Sequence, residues 1–295
     1  IECFTTARGP GARGPVKTGG PWMIAIRSER EIGLIREANQ IVAAVHDMLS
    51  GMVRPGVATI ELDRAAEALI RERGAKPAFK GYRGFPATLC VSVDEEVVHG
   101  IPGKRVLREG ELVSIDCGAL YRGYYGDAAV TLPCGEVDEA RLGLMRATSR
   151  ALARAVAAAR AGNFLRAVGR AVEGVCRPAG YGIVRDFVGH GIGTEMHEEP
   201  QILNFDSGEN GPLLREGMVL AIEPMVNLGT HRVRVLRDGW TVVTADGKPS
   251  AHFEHTVAVR KDGGEILSQG SLIRWGLLDG VEDEARGPGA AGEKA

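Results

Sequence analysis

Hydrophobic positions recur at helical spacing in the first part of the chain. Ile32, Ile35, Ala38, Val42, Val45 and Leu49 keep a period near 3.6, which predicts a helix over Glu29–Leu49 with one apolar face. Thr59 is expected to cap a second helix running to Arg73, with Gly74 as its stop signal. Lys80–Ile101 is mixed: a Gly/Pro-rich loop (GYRGFP), a strand around Leu89–Val93, then a turn before His99. From Glu111 the spacing becomes alternating. Val113 and Ile115 lead in, Ala129 and Thr131 lead out, and Tyr121, Arg122 and Gly123 form the turn of a β-hairpin. Two alanine-rich helices follow, Asp138–Ala161 and Asn163–Pro178, separated by Gly162, and strand patterning resumes from Ile183 to Ile266. Helices then strands, twice over, predict an α+β fold with antiparallel sheet and helices on its outer face.

The order is also a repeat. REGELVSID at Arg108–Asp116 is echoed by REGMVLAIE at Arg215–Glu223, and HGI at His99–Ile101 recurs at His190–Ile192. Glu254 in HFEHTVAV matches Asp127 in YGDAAVTL. Two similar halves facing each other across an approximate two-fold axis are expected, with the carboxylates of both hairpins meeting at the middle. No compositional linker interrupts residues 23–267, which read as one domain. Residues 1–22, rich in Gly, Pro, Arg and Thr, are expected to be a disordered extension, a cloning remnant or mistranslated upstream sequence, with the natural start at Met23. Residues 268–295 are expected to be a flexible tail in which Trp275 and Leu277 dock locally.

Composition narrows the function classes. With 295 residues and 44% hydrophobic positions the chain can bury a sizeable core. A net charge of -2 gives no general attraction to nucleic acid or an anionic membrane. No apolar run approaches bilayer length. Five scattered cysteines without a CxxC pair suit free thiols in a reducing cytoplasm.

The candidate chemistry lies in the hairpins. Asp116 and Asp127 fall opposite each other or one diagonal step apart, where like charges repel unless a cation lies between them. Asp116 and Glu223 end apolar strands (LVSID, VLAIE) that offer no Arg or Lys, and an unpaired buried carboxylate is costly. Asp116, Asp127, His190, Glu223 and Glu254 are therefore candidate ligands of two divalent ions, with Asp127 and Glu254 bridging. Four carboxylates and one imidazole suit Mn, Fe, Co or Zn. Such ions bring the pKa of water to about 7, which serves amide or ester hydrolysis. Taken singly, each carboxylate also fits a solvated strand end. His99 aligns with His190 in the repeat, and His197 follows the loop GIGTEM. Both could hydrogen-bond a scissile carbonyl and the charge developing on it. A Cys–His hydrolase using Cys90 or Cys117 is the alternative, although Cys117 follows Asp116 and so faces the other side of the strand. His46, His231, His252 and His255 receive no role.

HGIP at His99, IDCGALYRGYYGD at Ile115–Asp127, GHGIGTEMHEEPQI at Gly189–Ile202, AIEPM at Ala221–Met225 and FEHT at Phe253–Thr256 closely resemble the type I methionine aminopeptidases. The resemblance spans Met23–Leu267. It implies the pita-bread fold, two metal ions and removal of the initiator Met from nascent polypeptides with a small second residue. It also implies a cytoplasmic monomer, with the ribosome as a place of encounter and neither nucleic acid nor membrane as partner. The five family ligands fall on the five residues above. His99 and His197 become substrate contacts, and Glu223 takes part in proton transfer. Phe79, Tyr82, Phe85, Cys90, Met196 and Trp240 become the lining of the Met pocket. Phe79 stands where many relatives carry a smaller residue, often Cys, and Met196 where an aromatic is common.

Related families fit less well. X-Pro aminopeptidases and prolidases share the ligand set but usually carry an additional N-terminal domain. Type II methionine aminopeptidases insert a helical subdomain that the spacing from His197 to Glu223 cannot hold. Non-catalytic relatives have typically lost ligands.

Overall fold

A computed structural model describes residues 24–270; the readings given above for residues 1–22, for a start at Met23 and for all but the first three residues of the tail 268–295 lie outside them. Helix α1 spans Glu29–Ser50. Its N-terminus is closed by a reciprocal capping box in which Ser28 accepts from the Glu31 N–H and Glu31 from the Ser28 N–H. The predicted apolar stripe is its buried face, from Ile32 to Leu49.

Helix α2 spans Thr59–Glu72 and corrects one expectation, since its cap is Ala58 and Thr59 is already helical. The Thr59 hydroxyl instead donates to the Gly103 carbonyl and accepts the Gly103 N–H, fastening α2 to the loop after His99. Gly74 ends the helix at φ 74°, a left-handed conformation that glycine adopts without strain.

Helix α3 runs Glu139–Ala158 from an Asp138 cap. Helix α4 covers only Arg166–Cys176, shorter than expected. Phe164 instead bridges Leu213, and the N–H groups of Leu165 and Arg166 go to Pro212 and Asn210. The backbone donors at that start are thus taken by a neighbouring loop.

Glu111–Tyr121 is the central strand of the first sheet. It pairs along one edge with Tyr124–Cys134 and along the other with Leu89–Val93 and Lys76–Pro77. The second sheet has five strands in the order Gly264–Ile266, His255–Val259, Val219–Ile222, Gly189–Gly191, Glu198–Ile202. All these pairings are antiparallel, as the alternation predicted. A continuous apolar core, from Val42 on α1 through Ile115 and Leu152 to Leu220 and Val257, lies between helices and sheets.

The halves meet along Tyr124–Cys134. Thr131 exchanges hydrogen bonds with His252, its hydroxyl donating to the His252 carbonyl and accepting the His252 N–H, each at 2.8 Å. The Glu254 N–H donates to the Ala129 carbonyl. Ser268 is buried and bonded to His255 and the Thr256 N–H. Among the described residues no helix is long and apolar enough to cross a membrane.

Candidate active site

Register decides how the acids meet. In the first hairpin Asp116 pairs with Ala129 and Asp127 with Gly118, so the two carboxylates share a face one diagonal step apart. Asp127 is fixed from behind, its N–H donating to Asn39 on α1 at 3.2 Å. The hairpin comes that close because position 126 is glycine; a Cβ there would lie 2.6 Å from the Asn39 nitrogen. In the second half the last pair is His255 with Ile222, and Glu223 and Glu254 sit one step beyond it. His190, on the neighbouring strand, pairs with Ala221.

These placements bring the five predicted residues to one pocket. The ligand atoms of Asp127, His190 and Glu254 lie within 4.8 Å of one another. His190 Nε2 is 3.8 Å from Asp127 Oδ2 and 3.6 Å from Glu223 Oε1. Asp116, Asp127, Glu223, Glu254 and His190 all line one pocket, with His99 and His197 at the same pocket.

Electrostatically the cluster is unsatisfied. Burial raises the Asp116 carboxyl to about 7 even though its hydrogen-bond pairing with Asp127 pulls the other way. Asp127 is pushed well above the usual carboxylate range by burial and then by Glu254 and Asp116, and Glu254 by burial, Glu223 and Asp116. No Arg or Lys figures among these influences. Asp116 Oδ1, Asp127 Oδ1 and Glu254 Oε1 are buried without a hydrogen-bond partner. Buried acceptors left open in this way fit hard divalent cations. Burial also holds His190 neutral, at about 4, with its Nδ1 at 2.9 Å from the Gly191 carbonyl and its Nε2 directed to the acids.

The pocket walls partly follow expectation. Phe79, Tyr82, Phe85 and Cys90 line it. Met196 and Trp240 are not among the lining residues but touch them. The Met196 methyl packs by Gly118 next to Phe79, and Trp240 meets Phe85 edge-on at 5.1 Å. Sequence reasoning missed Val98, Phe187 and Val188. Val98 and Val188 immediately precede His99 and the Gly–His pair of the repeat, a signal that was present but reads equally as core. His252, given no role above, is buried with Nε2 at 3.7 Å from Glu223 Oε2. His46 and His255 are buried away from the pocket walls.

Both cysteine candidates are unsuited to nucleophilic work. Cys117 is in the apolar core on the opposite face from Asp116, and burial pushes the Cys90 and Cys117 thiols well above 9.

Comparison with known proteins agrees with this geometry. Residues 33–261 match the model of metallopeptidase family M24. Methionine aminopeptidase 1 of Bacillus subtilis is 47% identical over 247 residues, covering 84% of this chain and 100% of that protein. The crystal structure of methionine aminopeptidase from Thermotoga maritima superposes with a TM-score of 0.82 at 44% identity, covering 84% of this chain and all of that one. Prolidase from Pyrococcus furiosus is more distant, with a TM-score of 0.66 at 25% identity, and the match covers 83% of this chain and 66% of the prolidase. The pita-bread fold that the family resemblance implied is the fold of this chain. With two halves closing acids and a histidine into one buried pocket, the chain belongs to metallopeptidase family M24, among its methionine aminopeptidases.

Proposed function

We infer that this protein is a methionine aminopeptidase, hydrolysing the first peptide bond of nascent polypeptides to release the initiator methionine, with preference for a small second residue. The observation that carries the reading is the set of open, buried carboxylate oxygens on Asp116, Asp127 and Glu254 beneath an apolar pocket. Asp116, Asp127, His190, Glu223 and Glu254 would hold two divalent ions, drawn from Co, Mn, Fe and Zn. Ions bound there supply water activated for attack near neutral pH.

The chain's own residues do the rest. Phe79, Tyr82, Phe85 and Cys90 receive the methionine side chain and exclude water from it. His99, whose ring meets Phe187 edge-on at 5.6 Å, and His197 orient the scissile carbonyl and amide. Burial brings His99 to about 3 and His197 to about 2, so each acts as a neutral hydrogen-bonding group. The Glu223 carboxylate, less buried than Asp127 and Glu254, moves the proton to the leaving amine. The setting we propose is the cytoplasm, where a monomer meets polypeptides as they emerge from the ribosome.

The test compares Met-Ala-Ser with Ala-Pro-Gly, before and after chelation and with Mn or Co returned. Release of Met from the first peptide, lost on chelation and restored by metal, is expected. Preference for the second would move the chain to the Pro-specific relatives, and activity that withstands chelation would end the metal reading.

A further inference from the structure

Tyr82 has been treated so far as apolar wall, yet its hydroxyl has a specific partner. Tyr82 Oη is 2.9 Å from His197 Nδ1, and the two rings stack with centroids 5.3 Å apart at an interplanar angle of 25°. The loop carrying Tyr82 is built to hold that pose. Gly81 and Gly84 take φ of 87° and 92°, which glycine supplies without strain. The Gly81 N–H donates to the Phe85 carbonyl and the Tyr82 N–H to the Phe79 carbonyl.

The His197 side is equally fixed. Its neighbour Glu198 accepts the N–H groups of Thr194 and Glu195 at 2.8 and 3.1 Å and is gripped by the Arg27 guanidinium at 2.5 Å. Position 193 is glycine because a Cβ there would lie 2.4 Å from that guanidinium. The ring of His197 is thus set by its backbone on one side and by a phenol on the other.

A neutral imidazole has one N–H and one lone pair, and the partner of one nitrogen decides the role of the other. We propose that the Tyr82 hydroxyl donates to His197 Nδ1 and so fixes the Nε2–H tautomer, making Tyr82 a positioning residue for the reaction. This rests on the function inferred above and deepens it. The opposite tautomer would turn the Nε2 lone pair to the pocket, 4.2 Å ring-to-ring from His190. It would offer a carbonyl oxygen no donor and would add a competing nitrogen ligand beside the acids. With Nε2–H presented, His197 can only donate, the role needed toward a carbonyl that gains negative charge.

The test uses Tyr82→Phe, which keeps the ring, its stacking and the apolar wall. Long-range ¹H–¹⁵N spectra of histidine-labelled protein, with His197 assigned by its absence in His197→Gln, read the tautomer directly. The wild type is expected to show a protonated Nε2 and a hydrogen-bonded, unprotonated Nδ1. In Tyr82→Phe the Nδ1 resonance should leave that position. The kcat on a Met-Ala peptide should fall about tenfold, a fraction of the loss from deleting an oxyanion donor outright. The KM should stay within about twofold, because the wall is intact. A protonated Nδ1 in the wild type overturns the proposal. So does an Nδ1 resonance that Tyr82→Phe leaves in place, or an unchanged kcat. The spectra do not depend on turnover, so they judge this proposal even if the peptidase reading failed.

Discussion

The Thr256 hydroxyl donates to the backbone carbonyl of Asp127 at 2.7 Å, joining the strand after Glu254 in one half to the acid-bearing strand of the other. Both residues are buried, and Thr256 is fully so. This bond and the Thr131–His252 exchange set how far apart the two hairpins stand, and therefore the spacing of the acids.

Thr256→Val keeps the shape and removes the donor, leaving a buried carbonyl unmet. We expect a loss of about 1–3 kcal/mol in stability by urea denaturation, with weaker divalent-metal binding by calorimetry. A variant as stable as the parent would show that the halves are held elsewhere.

The metal-free protein should have a stability maximum near pH 6.5. The Asp116, Asp127 and Glu254 carboxyls are raised in the fold, Asp116 to about 7. Their contribution is complete below the unfolded values, near 4, and is lost as pH rises through the raised folded values, for Asp116 through about 7. The buried histidines act oppositely. His46 and His190 are lowered to about 4, His99, His252 and His255 to about 3, and His197 to about 2. Their contribution is complete above about 6.5 and fades as pH falls toward those values. Between pH 6.5 and 8 only the acids count, so the melting temperature by scanning calorimetry should fall. Asp127→Asn should flatten that limb and raise the melting temperature at pH 8 by about 5 °C while abolishing peptidase activity. A melting temperature that climbs from pH 6.5 to 8 without metal would contradict the buried-acid cluster.

Gly118 faces Asp127 across the hairpin, and a Cβ there would lie 2.6 Å from Phe79 Cε1 and 3.0 Å from the Met196 methyl. Gly118→Ala should push Phe79 into the pocket. Steady-state kinetics should show KM for a Met peptide rising about tenfold with a smaller change in kcat, and stability falling by about 1–2 kcal/mol. An unchanged KM would mean that Phe79 yields away from the pocket instead.

Much of the site was legible because its residues violate the local pattern. Asp116 and Glu223 end apolar strands where a charge has no local use, and the internal repeat made them equivalent before any contact was known. His99 and His190 were paired by the same argument. Periodicity placed α1 and the first hairpin because each has one buried face, which writes a period into the sequence. The short strands of the second half, two to five residues each, carry too few positions to write one.

What the chain determined by itself was which residues gather at the pocket, the four acids, His190, His99 and His197, since residue type and spacing survive without coordinates. Only the tertiary structure decided their geometry. Diagonal register in the first hairpin and the end-of-strand placement in the second half come from the strand pairings Asp116–Ala129 and His255–Ile222, and the distance between the two sets of acids comes from the Thr131–His252 and Asp127–Thr256 contacts, each spanning more than a hundred positions. It also decided that Val98, Phe187 and Val188 form part of the pocket wall. Which face of a buried apolar residue meets a cavity and which meets core is set by packing between the halves, and apolar side chains look alike to a sequence in both places.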